Sequence, residues 1–160
     1  MENEFDVVVV GAGISGIGAG AHLNLKCPDQ TYVILEGRES FGGTWDLFKY
    51  PGIRSDSDMH TLGYSFKPWV HKKSIANAPA IMEYLEETID EYELHPHIRY
   101  NHHVETANWS PKEGKWIVSV TDKVNNKEII FKGKLLYMCS GYYKYAHGYE
   151  PKFEGSENFE

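Results

Sequence analysis

The run Gly11-Ala12-Gly13-Ile14-Ser15-Gly16 constrains this chain more than any other feature. Three glycines spaced GxGxxG mark a turn that bends sharply and then opens a helix. Before them stands Phe5-Asp6-Val7-Val8-Val9-Val10, whose four consecutive valines are the mark of a parallel strand buried on both faces. After them Ile14, Ile17, Ala21 and Leu25 recur at helical spacing, and Cys27-Pro28-Asp29 ends that helix because proline cannot continue it. Thr31-Tyr32-Val33-Ile34-Leu35 then reads as a second buried strand closing on Glu36. Strand, glycine turn, helix and strand make a βαβ unit of about 30 residues.

The chemistry such a turn serves is phosphate binding. Gly11 permits the turn, Gly13 lets the backbone approach a pyrophosphate, and Gly16 lets the helix pack closely on the sheet. The helix start offers free N–H groups and a partial positive charge to a diphosphate. Glu36 is placed to accept both hydrogen bonds of a ribose diol, and its charge repels a 2′-phosphate. The expected ligand of this first site is therefore FAD or NAD, and not NADP. Glu39-Ser40-Phe41-Gly42-Gly43-Thr44-Trp45 follows at once. Its glycine pair permits a second close backbone approach, where N–H groups meet a diphosphate or ribityl chain. The competing reading is a surface turn with a buried Trp45. Further on, Pro51-Gly52 sets a turn, and Arg54 and Asp56 follow two residues apart. From the residues alone, those two read as an ion pair.

The remaining signals fill out one α/β domain over residues 1–160. A hydrophobic content of 41%, with 14% aromatics, suffices for a packed core without disulfides or metals. Residues 37–75 read as a long loop with a short helix near 57–63. Ala78 to Tyr92 is a helix with Asn77 as its N-cap. Short strands are expected at 98–100 and 103–109. Lys115–Asp122 and Glu128–Lys132, joined at Asn125-Asn126, form a β-meander. Leu135–Cys139 is a further buried strand ending at Ser140-Gly141, and the tail is surface loop. Tyr64, Phe66 and Trp69 are expected to pack in the core or at a domain contact. The fold class is α/β: a Rossmann-like domain with a central parallel sheet plus a small antiparallel β-meander.

Charge excludes some partners. A net charge of −7 and a pI near 5.6 argue against nucleic acid and anionic membrane, which need basic surface. No apolar stretch is long enough to insert stably in a bilayer, and the N-terminus lacks the basic region of a signal peptide. Cys27 and Cys139, without a CxxC motif, read as reduced structural thiols and point to the cytoplasm. His95, His97, His102 and His103 lack helical metal spacing, so no metal site is expected.

GAGISG, Glu36, GGTWDLFKYPGIRSDSDMHTLGYSFKPW and MCSGYY together resemble the class B flavoprotein monooxygenases of the Baeyer–Villiger type. The resemblance runs from Asp6 to Phe159, is strongest for the ethionamide-activating monooxygenases of mycobacteria, and is most specific in the long central motif. It favours FAD over NAD, since the glycine pair recurs in flavoproteins that bind two dinucleotides. It implies reduction of FAD by NADPH, addition of O2 to give a C4a-peroxyflavin, and conversion of a ketone to an ester or lactone. Sulfur-containing substrates are oxidised in the same family. By matching positions, Ser15 and Glu36 contact the adenosine half of FAD, Gly43, Thr44, Trp45, Asp46 and Leu47 line its ribityl and diphosphate path, and Val104 holds the adenine through its backbone. Asp56 is the candidate catalytic residue beside the isoalloxazine, and Arg54, Ser55 and Asp56 lie where the NADP nicotinamide approaches.

A complete enzyme of this kind carries a second GxGxxG for NADPH and a fingerprint FxGxxxHxxxW, which would begin near Phe159. The sequence holds one GxGxxG only. The expectation is an FAD-binding part without the NADP domain, inactive by itself and weak in holding FAD. Two alternatives stand beside it. One is a flavin-containing N- or S-oxygenase, against which Asp56 counts. The other is a stand-alone dinucleotide-binding module.

Overall fold

The computed structural model describes residues 3–143, 145 and 148–159. Strand β1 (Glu4–Val10) carries the valine run, and its side chains alternate between two cores. Val7 and Val9 pack with Ile17, Ala21, Ile34, Leu85 and Ile89, while Val8 packs with Val33, Leu35, Val118, Val120 and Phe131. A strand covered on both faces has no reason to alternate polar with apolar, which is why its sequence is continuous valine. Helix α1 (Ile14–Lys26) follows, closed at Cys27, whose amide bonds to Leu23 O. Strand β2 (Tyr32–Leu35) then lies parallel to β1.

The segment after β2 holds two four-residue helices, α2 (Thr44–Leu47) and α3 (Met59–Leu62). Only α3 is expected from sequence; α2 is too short to show a period. Ser55 N donates to Ala76 O at 2.8 Å and Met59 N to Ser74 O at 2.7 Å, so this stretch is fastened to the strip leading into α4. Helix α4 (Ala78–Glu91) starts at Asn77, whose side chain accepts from Ala80 N, as expected of that N-cap. Tyr64, Phe66 and Trp69 pack in the helical core, with Tyr64 stacked on Phe66 at 4.8 Å and Trp69 against Tyr84 at 5.5 Å. A 3-10 turn at His95–His97 precedes the short strand β3 (Ile98–Arg99).

Strands β4 (His102–Ser110), β5 (Lys115–Asp122) and β6 (Lys127–Met138) complete a six-stranded sheet of order β3-β2-β1-β6-β5-β4. Here two expectations are corrected. The expected strands at 128–132 and 135–139 are one continuous strand. Its first half pairs antiparallel with β5 and its second half parallel with β1, the change of partner falling at Lys132-Gly133. The polar Lys132-Gly133-Lys134 step reads as a break in sequence, but Gly133 is a close crossing: a Cβ there would lie 2.8 Å from Val8 Cγ2. Parallel sheet and meander are thus one mixed sheet, the meander packing its Val118, Val120 and Phe131 onto the face opposite the helices.

The expected burial of residues 135–139 does not hold along the strand. Leu135, Tyr137 and Met138 are 53%, 51% and 58% exposed. Between residues 135 and 138 only Leu136 packs against a core, because α1 lies against β1 and β2. Among the described residues no helix is long and apolar enough to cross a membrane.

Candidate dinucleotide site

A cleft of about 630 Å3 opens at the carboxyl ends of β1, β2 and β6, within the size range of cofactor pockets. The chain leaves β1 at Gly11, whose φ of +103° lies where side chains are rarely tolerated; a Cβ there would also meet the Cys139 carbonyl oxygen at 2.6 Å. Gly16 does not line the cleft. A Cβ on it would fall 1.8 Å from Gly11 O, so its absence brings the helix onto the turn. Gly13 is the helix N-cap and has no side chain to cap the first turn, which leaves those N–H groups for a ligand.

Glu36 is buried at the end of β2, and both carboxylate oxygens are engaged. Oε2 accepts from Ala12 N at 2.8 Å and Oε1 from Arg38 N at 3.0 Å. These bonds fix the carboxylate at the cleft wall with lone pairs still free for a ribose diol. The second glycine turn sits opposite. Gly42 N donates to Ala12 O at 2.9 Å, and Gly43, at φ +54°, meets Gly13 so closely that a Cβ would lie 3.2 Å from the Gly13 Cα. The two turns therefore touch, and the absence of a side chain at Gly13 serves this contact as well as any ligand.

Of the residues singled out in sequence, Gly11, Gly13, Ser15, Glu36, Gly43, Thr44, Trp45, Leu47 and Val104 line the cleft. Val104 borders a β-bulge where the β4–β5 register shifts between Val104 and Thr106, a common device for re-aiming a strand beside a site. Asp46 lies outside the lining and instead pairs with Arg38, Ser40 and Lys49. Burial acts to raise its carboxyl, but the Ser40 hydroxyl, Lys49 and Arg38 outweigh that and hold it below the usual aspartate range. Arg54 and Asp56 are exposed and Ser55 is buried, and none of the three lines the cleft. Arg54 bridges Asn77 in backbone pairing, and among the described residues no ion pair joins it to Asp56.

Cys139 lines the inner end of the cleft half-buried, and burial pushes its thiol up. Arg38, His103 and Lys123 also line the cleft and escape sequence reasoning. Arg38 had a signal, standing two residues past Glu36. His103 reaches in across Gly37, where a Cβ would meet its Nδ1 at 2.7 Å. Among the described residues no group of three or more His, Cys, Asp or Glu is arranged to hold a metal ion.

Fold and cleft define a Rossmann-like dinucleotide-binding domain. Residues 9–73 match the family model for NAD(P)-binding Rossmann-like domains. The chain is a homologue of FAD-containing monooxygenases. It is 53% identical over 159 residues to the FAD-containing monooxygenase EthA of Mycolicibacterium smegmatis, covering 99% of this chain and 32% of the relative. It is 48% identical over 159 residues to a probable FAD-binding monooxygenase, AlmA, of an Acinetobacter species, with the same coverage. Among solved structures it superposes on a steroid monooxygenase bound to NADP with a TM-score of 0.76 at 29% identity, over 87% of this chain and 26% of that one. Cyclohexanone monooxygenase from Rhodococcus sp. Phi1, bound to NADP+, gives 0.75 at 30% identity, over 87% and 26%. The chain thus spans 32% of the length of the curated relatives it matches.

Proposed function

We propose that residues 1–160 form the FAD-binding domain of an NADPH- and O2-dependent monooxygenase of the Baeyer–Villiger type, acting on a small ketone or a sulfur-containing molecule. The observation that carries this reading is the meeting of two glycine turns and one buried, pre-oriented carboxylate in a single cleft. The residues present fit FAD. Gly11 and Gly13 leave the room a pyrophosphate needs, the start of α1 faces it with unbonded N–H groups, and Glu36 meets the ribose. Thr44, Trp45 and Leu47 continue the wall beyond the second turn, and Val104 offers its backbone beside the bulge. Bound there, FAD supplies a ring that NADPH reduces and that then activates O2 for insertion beside a carbonyl or at sulfur.

This chain's own residues bind and orient. Asp56 stands as an exposed carboxylate, free to orient a cation brought by NADP or by a further domain. Arg54 flanks it as an NADP contact, and Ser55, expected as another, is buried with its hydroxyl on the Ala76 backbone and holds the segment in place. The Baeyer–Villiger branch rests on the kinship with cyclohexanone and steroid monooxygenases together with Asp56. The test is product analysis. The domain within a polypeptide of the relatives' length, given FAD, NADPH, O2 and a cyclic ketone, yields the lactone, whereas residues 1–160 by themselves yield none. An N-oxide or sulfoxide without any lactone assigns the N- or S-oxygenase branch. Flavin-free behaviour of both assigns a binding module.

A further inference from the structure

The guanidinium of Arg38, two residues past Glu36, is bound to the second glycine turn. Nη1 donates to Gly43 O at 3.3 Å, and Nη2 donates to Ser40 Oγ at 3.0 Å and to Asp46 Oδ2. Asp46 also takes the Ser40 hydroxyl on Oδ2 and Lys49 Nζ on Oδ1 at 3.1 Å. Arg38 and Asp46 are 27% and 23% exposed, sheltered enough that their pairing is not a loose surface contact. Arg38 nevertheless lines the same cleft as Glu36 and is tied to it through its own amide.

We propose that Asp46 is a specificity-determining residue that acts through Arg38. An arginine close behind the ribose acid is the group that accommodates a 2′-phosphate in NADP sites. Here Asp46 neutralises that arginine and holds it on the second turn. Glu36 then faces the ribose unopposed, and a 2′-phosphate meets a carboxylate with no compensating cation. A protein that uses FAD and NADP together needs this refusal, because NADP entering the first cleft would displace the flavin. The inference rests on the reading of the cleft as a dinucleotide site and adds how Asp46 and Arg38 enforce its preference for an unphosphorylated ribose.

The test uses the shared half of these ligands: 5′-ADP and its 2′-phosphorylated form, adenosine 2′,5′-bisphosphate, each titrated calorimetrically into the chain and three variants. The wild type prefers 5′-ADP. Asp46→Asn releases the guanidinium, and the preference shrinks by about tenfold, the strength of one charge-assisted hydrogen bond. Arg38→Ala added to Asp46→Asn restores it, because no cation is left to release. Arg38→Ala by itself keeps the wild-type preference. A purely structural role for the pair weakens both ligands alike and leaves their ratio fixed; that result, or a double variant that does not restore the preference, overturns the inference while the dinucleotide reading stands. Failure of the wild type to bind either ligand overturns both.

Discussion

The amide of Gly42 donates to the carbonyl of Ala12 at 2.9 Å, and this bond fastens the second glycine turn to the first. Ala12 also gives its N–H to Glu36. One residue thus links both turns and Glu36, so the cleft's shape is set by the chain before any ligand arrives. That is preorganisation in the sense that lowers the ordering cost of binding.

The contact between the turns depends on Gly43. Its φ of +54° and the 3.2 Å approach to Gly13 leave little place for a side chain. Gly43→Ala is expected to lower stability by about 1–2 kcal/mol and to weaken FAD binding as well. Gly52→Ala is the control: φ is +79°, but no atom lies within 4 Å of the added Cβ. It should cost a similar backbone strain in urea unfolding and leave FAD affinity unchanged.

Glu36 accepts two backbone N–H groups through different oxygens. In Glu36→Gln the amide nitrogen must face one of those donors and leaves it unsatisfied. The expected loss is about 1–3 kcal/mol of stability without any ligand. Binding of 5′-ADP weakens beyond that, which separate urea titrations with and without the nucleotide resolve.

How much of this was legible in sequence depends on how local each signal is. The β1 valines, GxGxxG, the α1 stop at Pro28 and Glu36 carry short-range constraints, and each sits where the sequence predicts. Asn77 and the Asn125-Asn126 turn are equally local. The single strand β6 was not legible, because Gly133 between two lysines looks like a loop and is in fact a crossing over Val8, a contact distant in sequence. The exposure of Leu135 and Tyr137 was hidden for the same reason, since composition does not say which helix covers a strand. Arg38 is a cleft residue whose partners lie in a turn with no period, so its role emerges only from the three-dimensional pairing with Asp46. The placement of Arg54, Ser55 and Asp56 outside the cleft lining follows from the strip 53–59 being fastened to residues 74–78.

Acid titration reads the Asp46 network. Its carboxyl is held below the ordinary aspartate value of 3.8 in the folded chain. Such a group contributes stability that is present above the unfolded value and lost as pH falls through the folded one. Asp46→Asn should therefore reduce stability at pH 7 and flatten the part of the acid limb below about 3.8, as followed by circular dichroism against pH.

The two thiols should separate cleanly. Cys27 is exposed, whereas Cys139 lies half-buried in the cleft with its thiol pushed up. Because thiolate is the reactive form, iodoacetamide at neutral pH should label Cys27 first, by mass spectrometry of peptides. Added FAD should slow Cys139 further and leave Cys27 unchanged.

The claim on which everything else depends is that the Gly11–Glu36 cleft binds FAD. Titrating the chain with FAD and following the flavin absorption and fluorescence bands measures this directly. The account predicts a saturable shift of those bands, reversed by 5′-ADP and lost in Glu36→Arg while that variant stays folded by circular dichroism. Unshifted bands at every FAD concentration, or a shift that 5′-ADP and Glu36→Arg both leave intact, would contradict it.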